Sequence, residues 1–112
     1  MIMVSITGTT IKMTRGDTLR VTLDLFDEEG NKYTPIAGDS LRFAMKRNYN
    51  ESTPILLKNI PNDSLLLWLE PDDTKNLPQP SSYVYDIEIT YANGDVDTFI
   101  DKAKLMLTEE VH

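Results

Sequence analysis

Residues 83–100 constrain this chain more than any other stretch. Two alternating runs, Tyr83-Val84-Tyr85-Asp86-Ile87-Glu88-Ile89-Thr90-Tyr91-Ala92 and Asp95-Val96-Asp97-Thr98-Phe99-Ile100, flank Asn93-Gly94. Asn-Gly accepts positive φ at both centres of a tight turn, so this pattern is a β-hairpin signal. A two-residue loop pairs Tyr91 with Val96, Ile89 with Thr98 and Ile87 with Ile100 on the core face. The other face sets Asp86 against Asp101, and like charges directly opposite are unfavourable. That pair requires a nearby basic side chain such as Lys102 or Lys104, or a ladder that ends before it.

The rest of the chain reads the same way. Residues 2–7 form a short apolar run suited to a first strand, and Ile11 and Met13 alternate with polar neighbours. Arg15-Gly16-Asp17 makes a turn. Leu19, Val21, Leu23 and Leu25 then share one face, with Arg20, Thr22 and Asp24 on the other, the period of a half-buried strand. Asp27-Glu28-Glu29-Gly30 is a turn in which Gly30 suits the left-handed position of a three-residue loop, setting Leu25 opposite Tyr33. A connection broken by Pro35 and Gly38 leads to Leu41, Phe43 and Met45, which alternate with Arg42, Ala44 and Lys46. Residues 55–60 lie between Pro54 and Pro61, which suits an edge strand. Pro71-Asp72-Asp73-Thr74-Lys75-Asn76-Leu77 carries an initial proline and early acids, the marks of one helical turn. Ala103, Leu105 and Leu107 give a last strand. Eight or nine short strands with turn signals every 8–12 residues indicate an all-β sandwich, with a small barrel as the alternative. A length of 112 residues fits one domain over 1–112.

Leu65, Leu67 and Leu69 make one face of a strand, while Leu66 and Trp68 make the other. A strand apolar on both faces needs cover on both. Either a loop or the second sheet supplies that cover, or Leu66 and Trp68 form a patch for another protein, since Trp is enriched among interface anchors.

Several chemistries find no support. The chain has no cysteine, hence no disulfide, thiol nucleophile or Cys-based zinc site. A net charge of −7 with scattered basic residues disfavours nucleic acid. No apolar run is long enough for a helical membrane span, and the N-terminal residues lack the basic start and long apolar core of a secretory signal. The one histidine is His112, the final residue, poorly placed for a triad or a metal. Asp86 and Glu88, like Asp95 and Asp97, share a strand face, so they read as a solvated acidic surface and not as carboxylates facing across a cleft. Calcium at Asp72, Asp73 or around 95–97 lacks an EF-hand pattern. Arg15-Gly16-Asp17 spells an integrin-recognition tripeptide, but Gly16 supplying a turn and Asp17 bonding backbone at the strand start explains it more simply. A carbohydrate platform needs Tyr33, Tyr49, Tyr91 and Trp68 on one flat face, and their strand parities do not favour it. No cofactor and no catalytic set is expected.

The order of these motifs carries a resemblance. Arg15-Gly16-Asp17-Thr18 leads an alternating strand, and Asp27-Glu28-Glu29-Gly30 makes a hairpin. Pro71-Asp72-Asp73-Thr74-Lys75-Asn76-Leu77, Tyr83-Val84-Tyr85-Asp86-Ile87-Glu88-Ile89 and Asn93-Gly94-Asp95-Val96-Asp97-Thr98 follow. From about Ile11 to Thr108 the chain resembles the small immunoglobulin-like β-sandwich modules of phage and prophage tails and baseplates, such as the N-terminal domain of the upper baseplate protein of lactococcal-type phages. Where that family has a glycine before its Tyr-x-Tyr-Asp-Ile strand, this chain has Pro78-Gln79-Pro80-Ser81-Ser82. The resemblance implies an immunoglobulin-like antiparallel β-sandwich with one short helical turn. It also implies a non-enzymatic virion or prophage component that docks onto other tail or baseplate proteins. Such a protein resides in the host cytoplasm during assembly and then in the virion. Leu66 and Trp68 are the candidate partner interface, and homo-oligomerisation stays open. The other expectation is a carbohydrate-binding or cell-surface adhesion module.

Overall fold

The alternating runs fold as strands in two sheets. A computed structural model describes residues 10–27, 29–77 and 82–108, side chains at 99–102 apart. The expected strand at 2–7, the stretch 78–81, and residues 109–112 with His112 lie outside the described residues. Among the described residues, seven strands and one helix follow in chain order: β1 (Ile11–Thr14), β2 (Leu19–Thr22), β3 (Ser40–Lys46), β4 (Leu56–Ile60), β5 (Leu66–Leu69), α1 (Pro71–Lys75), β6 (Ser82–Thr90) and β7 (Val96–Thr108). One sheet runs β1-β7-β6-β3-β4 and the other β2-β5. The architecture is all-β and sandwich-like. No helix among the described residues is long and apolar enough to cross a membrane.

Parity decides what is buried. Leu41, Phe43 and Met45 of β3 and Tyr83, Tyr85, Ile87 and Ile89 of β6 turn inward, against Leu67 and Leu69 of β5 and Leu23 and Leu25 beyond β2. They form one cluster, in which Phe43 and Tyr85 rings lie 5.3 Å apart. Each such side chain contributes about 1.5–3 kcal/mol by leaving water, before the entropy of ordering it is set against that. The strand at 56–60 is an edge of the larger sheet, as its flanking prolines suggest.

One pairing departs from a purely antiparallel sandwich. β1 runs parallel to β7, with Ile11 beside Leu105 and Met13 beside Leu107. Residues 96–108 also form a single strand, where the sequence suggested a hairpin arm and a separate last strand. Between Ile100 and Ala103 there is no Gly or Pro to break the extended backbone.

The two hairpin loops share one geometry. At the first, Gly30 N–H donates to the Asp27 carbonyl at 3.0 Å and Asp27 N–H to the Asn31 carbonyl at 2.8 Å. Tyr33 then bonds Leu25, the pairing expected from sequence. At the second, Gly94 N–H donates to the Tyr91 carbonyl at 2.8 Å and Tyr91 N–H to the Asp95 carbonyl at 2.7 Å. Both are three-residue loops closed by a left-handed glycine, Gly30 at φ 86° and Gly94 at φ 94°. The two-residue loop expected at Asn93-Gly94 is therefore corrected. Only the glycine needs positive φ in this turn, and Asn93 Oδ1 accepts from Asp95 N–H at 2.9 Å instead.

The extra loop residue shifts the register. Thr90 pairs with Val96 and Ile89 with Asp97, so Tyr91–Val96 and Ile89–Thr98 do not form, and Val96 is 59% exposed. Two irregularities in the ladder then each add a residue on β7. The first restores the expected Ile87–Ile100 pair, and the second places Tyr85 opposite Ala103. Asp86 falls at the second bulge and is not in register with Asp101, so the like-charge conflict is met by breaking the ladder there.

Candidate functional site

The β2-β5 sheet builds the first candidate. Its register sets Leu19 opposite Leu69, Arg20 opposite Trp68, Val21 opposite Leu67 and Thr22 opposite Leu66. Leu67 and Leu69 are buried, which turns Leu66 and Trp68 to the outer face. Leu66 is half-buried, and Trp68 remains 45% exposed. The requirement for cover on both faces of this strand is thus corrected: one face is covered and the other is shielded in part by a neighbour. The Arg20 guanidinium carbon lies 4.7 Å from the centre of the Trp68 ring, a cation–π contact of about 0.5–1 kcal/mol at an exposed site. The chain enters β5 through Leu65 at φ 52°, a left-handed conformation that costs a non-glycine residue about 1 kcal/mol. Leu65 N–H donating to the Pro61 carbonyl at 2.9 Å and Leu23 N–H donating to the Leu65 carbonyl at 2.9 Å hold it there.

The second candidate lies where the connection before β3 meets the β6–β7 loop. Asp39, 6% exposed, joins them. Its Oδ2 accepts from Tyr33 Oη at 2.6 Å and from Ile36 N–H at 3.0 Å, and its Oδ1 accepts from Ala92 N–H at 3.0 Å. Burial pushes this carboxyl up, but the three hydrogen bonds outweigh burial and hold it below the ordinary carboxylate value. Burial, then the bond to Asp39, pushes the Tyr33 phenol well up. The Asn62 side-chain amide donates to the Asp39 carbonyl and fixes the backbone as well. Tyr33 and Tyr91 rings meet edge to face, 6.0 Å apart at 90°, and Tyr91 Oη donates to Asp97 Oδ2 at 3.3 Å.

Sequence reasoning missed this cluster. Asp39 read as part of a loop, and the contacts to Ala92 and Tyr91 join residues far apart in the chain. The usable signal was an acid directly after a glycine and before a strand, a residue type that bonds nearby backbone N–H groups. Of the four aromatics considered for a flat platform, Tyr33 and Tyr91 come together, but perpendicular and not coplanar.

The Arg-Gly-Asp turn is taken up by the fold. Arg15 is 8% exposed, and its Nη1 donates to the carbonyl of Leu77, just past α1, at 2.6 Å and to that of Thr74, in the last turn of α1, at 3.4 Å. Gly16 N–H donates to Thr74 Oγ1 at 2.8 Å. A buried Arg15 cannot be presented to a receptor. Asp73, one of the residues weighed for calcium, closes the N-terminal turn of α1 by accepting from Glu70 N–H at 2.7 Å and pairs with Lys58 of β4 at 2.8 Å. Among the described residues no three His, Cys, Asp or Glu side chains are grouped to hold a metal ion.

No protein-family model matches this chain, and no curated protein matches it.

Proposed function

We propose that the chain is a non-enzymatic docking module that binds other proteins through the outer face of the β2-β5 sheet, with Trp68 and Leu66 as anchors. The observation that carries this reading is Trp68 itself, a large aromatic left 45% exposed beside a half-buried Leu66 on a face shared with Arg20. Trp and Arg are among the residue types enriched at the hot spots of interfaces.

The setting we propose is a phage or prophage tail or baseplate, with other tail or baseplate proteins as partners, assembly in the host cytoplasm and incorporation into the virion. The sequence resemblance supports it. The strand order adds support for an immunoglobulin-like sandwich: β7-β6-β3 stands as the G-F-C sheet with an added strand on each side, and β2-β5 as the B-E pair opposite.

The test is the double substitution Leu66→Ser with Trp68→Ser. Binding to tail and baseplate proteins encoded beside this chain, and self-association by sedimentation, are measured together with circular dichroism. Loss of binding by roughly 30-fold or more with the β-spectrum intact is expected of a central anchor. Unchanged binding by a folded variant removes the site assignment. Glycan binding with a shift in Trp68 fluorescence would replace docking with adhesion.

A further inference from the structure

A shallow depression of about 350 Å³ lies over the Tyr33–Asp39–Tyr91 cluster. Tyr33, Ile36, Tyr91 and Ala92 line it, with Asp39 as its buried member and Asn93 and Asp95 as exposed ones. The two phenol rings stand at right angles, 6.0 Å between centres, and so form two walls of a corner. Each phenol donates to a carboxylate, Tyr33 to Asp39 and Tyr91 to Asp97. A phenol that donates to an anion gains electron density on its ring, which raises the attraction of the ring face for a cation.

The charges described around this corner are acidic. Asp39 and Asp95 line it, Asp97 adjoins it through Tyr91, and no Lys or Arg is among the described lining residues. A second depression, on the outer face of β3, β4 and β6, makes the contrast. There Asp86 and Glu88 are matched by Arg42 and Lys46, and Arg42 pairs with Glu88 at 2.8 Å. The chain as a whole carries −7.

We propose that the Tyr33–Tyr91 corner receives one basic side chain, the ammonium of a Lys or the guanidinium of an Arg presented by a partner protein. The charged head meets two aromatic faces and the Asp95 and Asp97 carboxylates, while Ile36, 62% exposed, and Ala92 cover the alkyl stem. A sugar fits less well. The rings are not coplanar, and the Asp39 oxygens already accept from Tyr33, Ile36 and Ala92. This site lies on other loops than the Trp68 face and stands whether or not that face docks a partner.

The probes are N-acetyl-lysine methylamide and its arginine counterpart, titrated into isotope-labelled protein at low salt and followed by NMR. Saturable shifts are expected at the amides of Ala92, Asn93 and Asp95 and in the rings of Tyr33 and Tyr91, weakening at high salt. Tyr91→Ala weakens binding roughly 2–5-fold, the worth of one exposed cation–π contact. Asp95→Asn, at an exposed position that leaves the fold intact, weakens it about threefold. Leu66→Ser with Trp68→Ser leaves it unchanged. Equal binding of the neutral norleucine analogue, shifts confined to other residues, or shifts here with N-acetylglucosamine but not with lysine would each overturn the proposal.

Discussion

Arg15 and Leu77, 62 residues apart, are joined by a 2.6 Å hydrogen bond from the guanidinium to the carbonyl just past α1. The β1–β2 turn and the helix thereby hold each other, because Gly16 N–H also donates to the fully buried Thr74. Arg15→Ala leaves the Thr74 and Leu77 carbonyls without this donor. We predict a loss of about 1.5–3 kcal/mol in urea unfolding, the range for hydrogen bonds to charged groups. Arg15→Lys recovers little of it, since an ammonium lacks the planar fork. An unchanged midpoint would show the clamp to be inert.

Asp39 and Tyr33 give stability a pH dependence at both ends. The Asp39 carboxyl sits below its ordinary 3.8, so its contribution is whole above about that pH and is lost as pH falls through the lower folded value. The Tyr33 phenol sits above its ordinary 10.0, so its contribution is whole below pH 10.0 and is lost as pH rises through the higher folded value. Tyr33→Phe removes the Tyr33 share of the alkaline decline, leaving that of the buried Tyr85, whose phenol burial also pushes up, and costs about 1.5–3 kcal/mol at neutral pH, a cost that shrinks as Asp39 takes up a proton. Chemical unfolding across pH reads both arms, and parallel curves for the two proteins would break the assignment.

Gly38 combines a left-handed backbone with a close approach. It lies at φ 97°, and a Cβ there would stand 2.9 Å from the Cβ of Ala92. Gly30, at φ 86°, has nothing within 4 Å of its own Cβ position. Gly30→Ala therefore costs about 1 kcal/mol from backbone alone, and Gly38→Ala roughly 2–4 kcal/mol. Pairing Gly38→Ala with Ala92→Gly returns the overlap share, so a double-mutant cycle that shows simple additivity would refute the contact.

Arg20→Ala uncovers Trp68, the one tryptophan of the chain. Emission shifts to the red, acrylamide quenching rises, and stability falls by about 0.5–1 kcal/mol. Identical quenching in both proteins would mean that the guanidinium does not shield the ring.

Local patterns were legible in the sequence, and closures between distant segments were not. The face shared by Leu41, Phe43 and Met45, the Leu25–Tyr33 pairing and the one-turn helix at Pro71 each depend on neighbours a few residues apart. The Asn93-Gly94 loop shows the limit of local reading. The same dipeptide suits a two-residue turn or the last two positions of a three-residue one, and the choice moves every pair up to the first β7 bulge. Burial of Arg15 depends on carbonyls in and just past α1, and Asp39 acts on Ala92, 53 positions on. No composition or periodicity encodes such contacts. Trp68 was legible as an anomaly, an aromatic on the second face of a strand, but its half-exposed state depends on how much of that face Arg20 covers.

The ladder between β1 and β7 closes across 94 residues, Thr14 to Thr108. A ribosome releases residues 11–14 long before residues 105–108 exist, so this strand must wait through most of translation for its neighbour. Such distant pairing delays folding and leaves an open β edge on the nascent chain in the meantime. The five-stranded sheet is therefore completed only when the last strand has left the exit tunnel.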